Sequence, residues 1–130
     1  MGRLLVVDDA MLMRRMIRDV ALEAGWEVVG EAKDGQEAVA LFEQLRPDLV
    51  TMDVVMPEMG GLEALRRIKR LDPGARVVMV TALDQKPTIE EAIRDGALDF
   101  IVKPFERDRI IGLLVKVGAL VASNATVAKH

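Results

Sequence analysis

The chain contains no cysteine, no tyrosine and only one histidine, His130, which is its last residue. Without cysteine there is no disulfide bond, no thiolate nucleophile and no cysteine-ligated metal site. A lone terminal histidine also argues against a histidine-based active site. Three phenylalanines and one tryptophan are the remaining aromatic residues, and they are too few to sandwich a flavin. Oxygen and amine side chains are therefore the candidates for any chemistry.

Concentrated positive charge and long apolar segments are also lacking. The net charge is −3 and the basic residues are scattered, which argues against a nucleic-acid partner. Lys116 interrupts the longest apolar run, so no run reaches the length needed to span a membrane. The first residues lead straight into a strand-like run and leave no room for a signal peptide. We therefore expect a cytoplasmic protein that binds neither nucleic acid nor membranes.

The length and composition of the chain indicate one globular domain. It has 130 residues, of which 51% are hydrophobic and 30% are charged, and this is enough to bury one continuous core. We expect the domain to occupy residues 1–121. Residues 122–130 are small and polar, and we expect them to form a short flexible tail.

Five short apolar runs alternate with five stretches of helical periodicity. The runs that indicate strands are residues 4–7, 26–30, 49–52, 77–80 and 98–102. The last helical stretch extends from about residue 106 to 121, and the first repeats Met13, Met16, Ile17, Val20 and Ala24. Short strands separated by helices need βαβ crossovers. The pattern therefore predicts an α/β fold with a parallel sheet covered by helices on both faces.

Four of the five predicted strands end in polar residues that suit chemistry. In chain order these residues are Asp8, Asp9, Asp53, Thr81 and Lys103. The second strand supplies nothing comparable. In an open parallel sheet, ligands bind outside the carboxyl ends of the strands. We therefore expect these five side chains to meet at one rim of the sheet.

The predicted rim suits phosphoryl transfer to a carboxylate. Three clustered aspartates repel each other unless a cation lies among them, and a set of oxygen ligands selects Mg²⁺ or a similar ion. The hydroxyl of Thr81 and the ammonium of Lys103 suit phosphoryl oxygens. A carboxylate can itself be the nucleophile and form an aspartyl phosphate. That reaction needs mainly positioning and charge neutralisation.

Each residue of this set also has a purely structural interpretation. An aspartate after a strand is often a helix N-cap, Thr81 suits the end of a β-branched strand, and Lys103 before a proline suits a solvated surface. The adjacent pair Asp8-Asp9 is harder to explain in this way, because neighbouring acids repel. It is the joint spacing of the residues that favours the functional interpretation.

Several blocks of the sequence resemble the signature of response-regulator receiver domains. They are Val6-Val7-Asp8-Asp9, residues 53–61 (DVVMPEMGG), Thr81-Ala82 and residues 100–105 (FIVKPF). The resemblance covers roughly residues 3–121. It implies the flavodoxin-like, doubly wound fold, with five parallel strands in the order 2-1-3-4-5 and five helices. Within the family, four stretches look most similar to stand-alone chemotaxis regulators of the CheY-like type: Asp8-Asp9-Ala10, Gly30-Glu31-Ala32, Thr51-Met52-Asp53 and Lys103-Pro104-Phe105.

The resemblance implies a two-component response regulator in which Asp53 accepts a phosphoryl group from a histidine kinase. Asp9 and Asp53 would bind Mg²⁺ directly, and Mn²⁺ can replace it. The backbone carbonyl of Val55 would be a third ligand, and Asp8 would act through water. Lys103 would contact both Asp53 and the phosphoryl group. The protein would be a signalling switch that catalyses only its own phosphorylation and dephosphorylation, and not an enzyme with another substrate.

The resemblance also implies how the switch works. Thr81 would bond a phosphoryl oxygen, and Phe100 would turn inward as Thr81 moves. The Lys103–Pro104 peptide bond would be cis. Val55 and Leu83 are apolar where many relatives carry polar side chains, which predicts slow hydrolysis of the acyl phosphate and a need for a separate phosphatase.

Partners follow from the same resemblance. The donor would be a CheA-type histidine kinase, and the output partner a flagellar motor switch protein or another protein that docks on the fourth helix, fifth strand and fifth helix. The last helix supplies a core stripe at helical spacing, formed by Ile110, Leu113, Leu114, Val117, Leu120 and Val121. Beside it, Ile111, Val115 and Ala122 form a second apolar strip. This strip is either a wide core contact or part of the docking face, which would also serve a homodimer formed on activation.

Other interpretations use the same residues. A phosphorelay intermediate, or a receiver from a larger transcriptional regulator, would share this site. A phosphohydrolase or phosphomutase typically carries a second aspartate two residues after the nucleophile as general acid, and here Val55 occupies that position. A flavodoxin-like electron carrier would need a phosphate-binding loop after the first strand. A degenerate receiver that binds partners without phosphorylation would not need all five polar residues.

Overall fold

The computed structural model describes residues 2–82 and 86–128, with side chains to residue 123. Leu83, which was expected to influence hydrolysis, lies outside the described residues. The strands are β1 (Arg3–Val7), β2 (Glu27–Ala32), β3 (Leu49–Asp53), β4 (Val77–Ala82) and β5 (Asp99–Lys103). The helices are α1 (Met11–Glu23), α2 (Gly35–Leu45), α3 (Gly61–Leu71), α4 (Lys86–Arg94) and α5 (Arg107–Ala128). The predicted alternation of five strands with five helices is confirmed.

The five strands form one parallel sheet in the order β2-β1-β3-β4-β5. This is the order that the resemblance implied. Both neighbours of β3 are parallel to it, with Val7 opposite Met52 and Asp53 opposite Val80. The carboxyl ends of β1, β3, β4 and β5 therefore reach the same edge of the sheet, and this edge carries the candidate site.

Alternate residues of each inner strand point to opposite faces of the sheet, and each face has its own core. Leu5 and Val7 of β1 belong to one hydrophobic cluster, which α2, α3 and α4 cover. Leu4 and Val6 belong to the other, which α1 and α5 cover. The continuous apolar runs in the sequence are explained by this burial on both faces. None of the described helices has both the length and the apolar character of a membrane span.

Two details of the helix predictions are wrong. Leu120 of α5 is 40% exposed although it was expected in the core stripe, and Met16, one of the periodic apolar residues of α1, is likewise 48% exposed. Each lies at the edge of a stripe that is narrower than the sequence suggested, with Ile17 buried in α1 and Val117 in α5. The last helix also continues beyond residue 121, to Ala128, because alanines in this segment favour helix and no glycine or proline stops it. The division into a domain at 1–121 and a flexible tail at 122–130 stays a prediction.

Candidate functional site

Three aspartates meet at the carboxyl edge of the sheet, as the strand ends predicted. Asp8 and Asp9 follow β1, and Asp53 is the last residue of β3. Each of them offers a carboxylate oxygen, and these three oxygens lie within 4.8 Å of one another. Asp8 and Asp53 are buried, whereas Asp9 is exposed. The cluster is therefore anchored in the protein on one side and open to solvent on the other.

The interpretation of these aspartates as helix caps does not hold. The N-cap of α1 is Ala10 and that of α3 is Gly60, and neither helix has a side-chain capping hydrogen bond. The Asp8 carboxylate instead accepts a hydrogen bond from the backbone N–H of Ala10 at 2.9 Å. It thus shapes the turn that leads from β1 into α1. The clustering of the acids is not a consequence of helix capping.

Lys103 joins the cluster from the edge strand β5. Its Nζ lies 3.1 Å from Asp8 Oδ2 and 3.4 Å from Asp53 Oδ2. The ammonium therefore bridges the two buried carboxylates. The peptide bond that follows, Lys103–Pro104, is cis, which is the conformation that the resemblance implied.

One ammonium does not balance three carboxylates, and the ionisation of the site reflects this. Burial raises the pKa of Asp53, and the charge of Asp8 raises it further, while Lys103 partly opposes both. For Lys103, burial lowers the pKa of the ammonium, but its hydrogen bond to Asp8 and the charges of Asp53 and Asp8 outweigh this and raise it overall. Lys103 is therefore held in its charged form, while ionised Asp53 remains destabilised by its surroundings.

The donor set of the cluster fits a hard divalent cation. All three groups are carboxylates, and the described residues place no sulfur or imidazole ligand with them. Carboxylate oxygens are the ligands that Mg²⁺ prefers, and few protein ligands suffice because the ion keeps several waters. A cation there would also offset the excess negative charge that raises the pKa of Asp53. The cluster is thus compatible with Mg²⁺.

The loop from β3 to α3 is held tightly against the site. The N–H of Gly61 donates to the carbonyl of Val54 at 2.8 Å, and a Cβ at Gly61 would collide with the carbonyl oxygen of Asp53. Only glycine allows this close approach. The loop leaves the Val55 side chain 64% exposed beside the cluster. The role of the Val55 carbonyl as a metal ligand remains a prediction.

Thr81 and Phe100 are the two predicted switch residues, on β4 and β5. Thr81 is buried near the end of β4, one residue after the partner of Asp53 in the sheet. Its hydroxyl lies 3.4 Å from the carbonyl of Ala82, and the described contacts include no bond between it and the acids. Phe100 is half-buried and faces α4, where an open cavity of about 630 Å³ is lined by Lys86, Ile89, Glu90, Ile93, Arg94 and Phe100. The predicted switch residues are therefore beside the site, and their movement stays a prediction.

Two residues that brace the cluster, Arg14 and Glu31, were not predicted from the sequence. Arg14 of α1 donates from Nη1 to the backbone carbonyl of Asp8 at 2.7 Å. Its Nε lies 3.2 Å from Oε1 of Glu31, in β2. The available signal was an arginine one turn into the helix that directly follows the acid pair. The second strand supplies no polar residue to the cluster itself, but its Glu31 supports the site by holding Arg14.

Comparison with known proteins agrees with this fold and cluster. The response regulator receiver domain family matches residues 4–115. Chemotaxis protein CheY of Thermotoga maritima is 49% identical over 115 residues, which are 88% of this chain and 96% of that protein. CheY of Bacillus subtilis (strain 168) is 49% identical over 114 residues, which are 88% of this chain and 95% of that protein.

Two solved structures extend the comparison to three dimensions. A chain in the crystal structure of the CheX–CheY–BeF₃–Mg²⁺ complex from Borrelia burgdorferi has a TM-score of 0.84 and 32% identity, covering 88% of this chain and 87% of that one. The receiver domain of AraT, a response regulator from Geobacillus stearothermophilus, has a TM-score of 0.88 and 30% identity, covering 95% and 98%. The chain therefore belongs to the response regulator receiver domain family, as a CheY-like receiver of a two-component system.

Proposed function

We propose that Asp53 is the phosphoacceptor of this receiver and takes its phosphoryl group from the phosphohistidine of a CheA-type kinase. The observation that carries the proposal is the meeting of three carboxylates within 4.8 Å, with Lys103 Nζ 3.4 Å from Asp53. A carboxylate oxygen of Asp53 attacks the phosphorus and forms an acyl phosphate, and the donor histidine leaves as imidazole. Lys103 neutralises charge on Asp53 and the phosphoryl oxygens, and Thr81 donates its hydroxyl to one of those oxygens.

Mg²⁺ is the cofactor that this reaction calls for. Asp9, Asp53 and the Val55 carbonyl would hold it, with Asp8 acting through water, and Mn²⁺ can substitute. When bound, the ion neutralises charge that builds up on the phosphoryl oxygens. The residues of the chain supply positioning: Asp8 is held by Ala10 and Lys103, so the acids stay together in spite of their repulsion.

The surface beside the site suits a protein donor. Met11 and Leu12, at the start of α1, are 61% and 68% exposed, and Val55, two residues after Asp53, is 64% exposed. A kinase domain must approach this rim to bring a phosphohistidine to Asp53, and its docking would cover these apolar side chains. This supports a protein, rather than only a small acyl phosphate, as the natural donor.

The output partner would bind the surface formed by α4, β5 and α5. The cavity beside Phe100 and the 54% exposed Val115 offer apolar contacts there. Phosphorylation would shift Thr81 and Phe100 toward a binding-competent state that is already sampled. The partner would be a flagellar motor switch protein, or a second copy of the chain. The protein would act in the cytoplasm as a signalling switch and would turn over no substrate beyond its own phosphoryl group, with a separate phosphatase ending the signal.

Phosphorylation by acetyl phosphate and Mg²⁺, followed by intact-mass spectrometry, tests the proposal. The wild type should gain about 80 Da, the mass of one phosphoryl group, and Asp53→Asn should gain none. Asp108→Asn, which changes an exposed acid in the first turn of α5, is the matched control and should be modified like the wild type. Asp9→Ala should lose Mg²⁺ binding and the adduct together. An adduct of equal yield on Asp53→Asn would overturn the assignment.

A further inference from the structure

Arg14 makes two contacts that link the outer strand β2 to the acid cluster. Nη1 donates to the carbonyl oxygen of Asp8 at 2.7 Å, and Nε donates to Oε1 of Glu31 at 3.2 Å. Only 16% of the Arg14 side chain is exposed. The guanidinium is therefore fixed between two strands, and its contact at β1 is with the backbone and not with a carboxylate.

The carbonyl that Arg14 binds belongs to the peptide unit between Asp8 and Asp9. A peptide unit is planar, so a hydrogen bond to this oxygen fixes the direction in which Asp9 leaves the strand. Asp8 is also held by other contacts, at its N–H by the carbonyl of Ala32 and at its carboxylate by Ala10 and Lys103. Among the described residues, nothing hydrogen-bonds the exposed Asp9 carboxylate. Arg14 thus acts on the peptide next to Asp9, whose carboxylate has fewer described hydrogen bonds than that of Asp8.

We infer that Arg14, oriented by Glu31, is a positioning residue that sets Asp9 for binding of the divalent cation. The inference rests on the proposed function, in which Asp9 is a direct metal ligand. Arg14 touches neither cation nor phosphoryl group, and it acts through the Asp8–Asp9 peptide. Its positive charge opposes a cation, but Glu31 neutralises that charge. The repulsion between Arg14 and the cation is therefore reduced.

Arg18 provides a matched control within the same helix. It lies one turn after Arg14, and its Nη1 is 3.4 Å from the other carboxylate oxygen of Glu31. It makes no hydrogen bond to Asp8 among the described contacts. Arg14→Met and Arg18→Met each remove one arginine charge and one ion pair with Glu31. Arg18 Nε also lies 3.6 Å from Asp19 Oδ1, whereas of the two arginines Arg14 alone bonds the Asp8 carbonyl among the described contacts. The comparison therefore tests this bond against the loss of an arginine and its ion pairs.

The test is the apparent Kd for Mg²⁺, measured by NMR titration of the unphosphorylated protein, together with the phosphorylation rate as a function of Mg²⁺. Arg14→Met should bind Mg²⁺ about tenfold more weakly, as is common when a residue that orients a ligand is lost. Its rate at saturating Mg²⁺ should stay near that of the wild type. Arg18→Met should shift the Kd by less than about twofold, and Arg14→Lys should recover part of the loss.

Several outcomes of these measurements would contradict the role of Arg14. Equal Mg²⁺ affinity in Arg14→Met and Arg18→Met overturns it, and so does a lower rate at saturating Mg²⁺ with no change in affinity. If Arg14→Met does not fold, Glu31→Met decides: it keeps Arg14 but removes the carboxylate that accepts from Arg14 Nε, and unchanged Mg²⁺ affinity there is equally contradictory. If the wild type itself neither binds Mg²⁺ nor becomes phosphorylated on Asp53, the proposed function fails instead, and the two failures are distinguishable.

Discussion

Lys103 Nζ lies 3.1 Å from Oδ2 of Asp8, although the two residues are 95 positions apart in the chain. Lys103 ends the edge strand β5, and Asp8 follows β1, with β3 and β4 between them in the sheet. The lysine side chain therefore spans the carboxyl edge and meets Asp53 on the way. This contact connects the end of β5 with the end of β1. Lys103 also supplies the only ammonium that the described structure places among the three acids.

Loss of this ammonium should destabilise the metal-free protein. In Lys103→Met, the buried carboxylates of Asp8 and Asp53 face each other without a counter-charge, so the free energy of unfolding should fall by about 2 kcal/mol at neutral pH. Urea unfolding in EDTA measures this. Lys116→Met, which removes an exposed lysine on α5, is the control, and an equal effect of the two substitutions would contradict the prediction. Added Mg²⁺ should return part of the lost stability in Lys103→Met.

Asp53→Asn should stabilise the metal-free protein in a pH-dependent way. The pKa of Asp53 is raised above its ordinary value of 3.8 by burial and by Asp8, so the folded protein binds this proton more tightly than the unfolded chain does. Ionisation of Asp53 therefore costs stability as the pH rises from 3.8 through the raised pKa. The advantage of Asp53→Asn should be full at neutral pH and absent below pH 3.8.

Unfolding curves across this pH range, again in EDTA, check the sign. A difference between wild type and Asp53→Asn that does not change with pH would mean that packing, and not charge, is responsible. Mg²⁺ offers a second check, since at ten times its Kd it should stabilise the wild type by about 1.4 kcal/mol. It should stabilise Asp53→Asn less, because one proposed ligand is gone.

The acids at the strand ends could be predicted to meet because the pattern that shows them, an apolar run followed by an aspartate, is local in the sequence. An apolar run that ends in an acid places that acid at the sheet edge, and parallel strands bring such edges together, as Asp8 and Asp53 show. The support from Glu31 through Arg14 could not be predicted in this way. It depends on how α1 lies against β2, which is set by packing across the whole face. Periodicity likewise showed which side of α1 is apolar but not how wide the buried stripe is: Met16 belongs to the periodic set and is 48% exposed.

Thr51 of β3 carries a buried hydroxyl that has no hydrogen-bond partner in the described structure. Its neighbours in the sheet are Val6 and Val78, so an isosteric valine fits among like residues. Thr51→Val should therefore raise the free energy of unfolding by about 1 kcal/mol, because an unpaired buried hydroxyl costs desolvation energy. Thermal unfolding measures the change. A loss of stability would indicate that a buried water pairs with this hydroxyl.

Val115 should belong to the output face and not to the core. It is 54% exposed, whereas its neighbour Ile111 is half-buried, so Val115→Lys tests the strip without disturbing packing. The variant should keep wild-type stability and phosphorylation of Asp53 but bind the candidate motor switch protein, or a second copy of the chain, more weakly. Gln36→Lys, at an exposed position of α2, carries the same change of charge as a control. Unfolding of Val115→Lys would show that the residue is core, and binding equal to that of Gln36→Lys would remove this strip from the interface.

The last prediction concerns how long the phosphoryl group stays on Asp53. Hydrolysis of the acyl phosphate requires a water in line with the phosphorus, and a side chain that orients this water speeds the reaction. Val55 is 64% exposed beside the cluster and offers no polar group for this task. Val55→Asn should therefore shorten the lifetime several-fold, well short of the roughly 100-fold that a full general base provides. Phosphate release from purified phosphoprotein measures the lifetime, and Val115→Asn, an exposed valine distant in sequence, should leave it unchanged. An equal or longer lifetime in Val55→Asn would show that this position does not control access of water to the phosphoryl group.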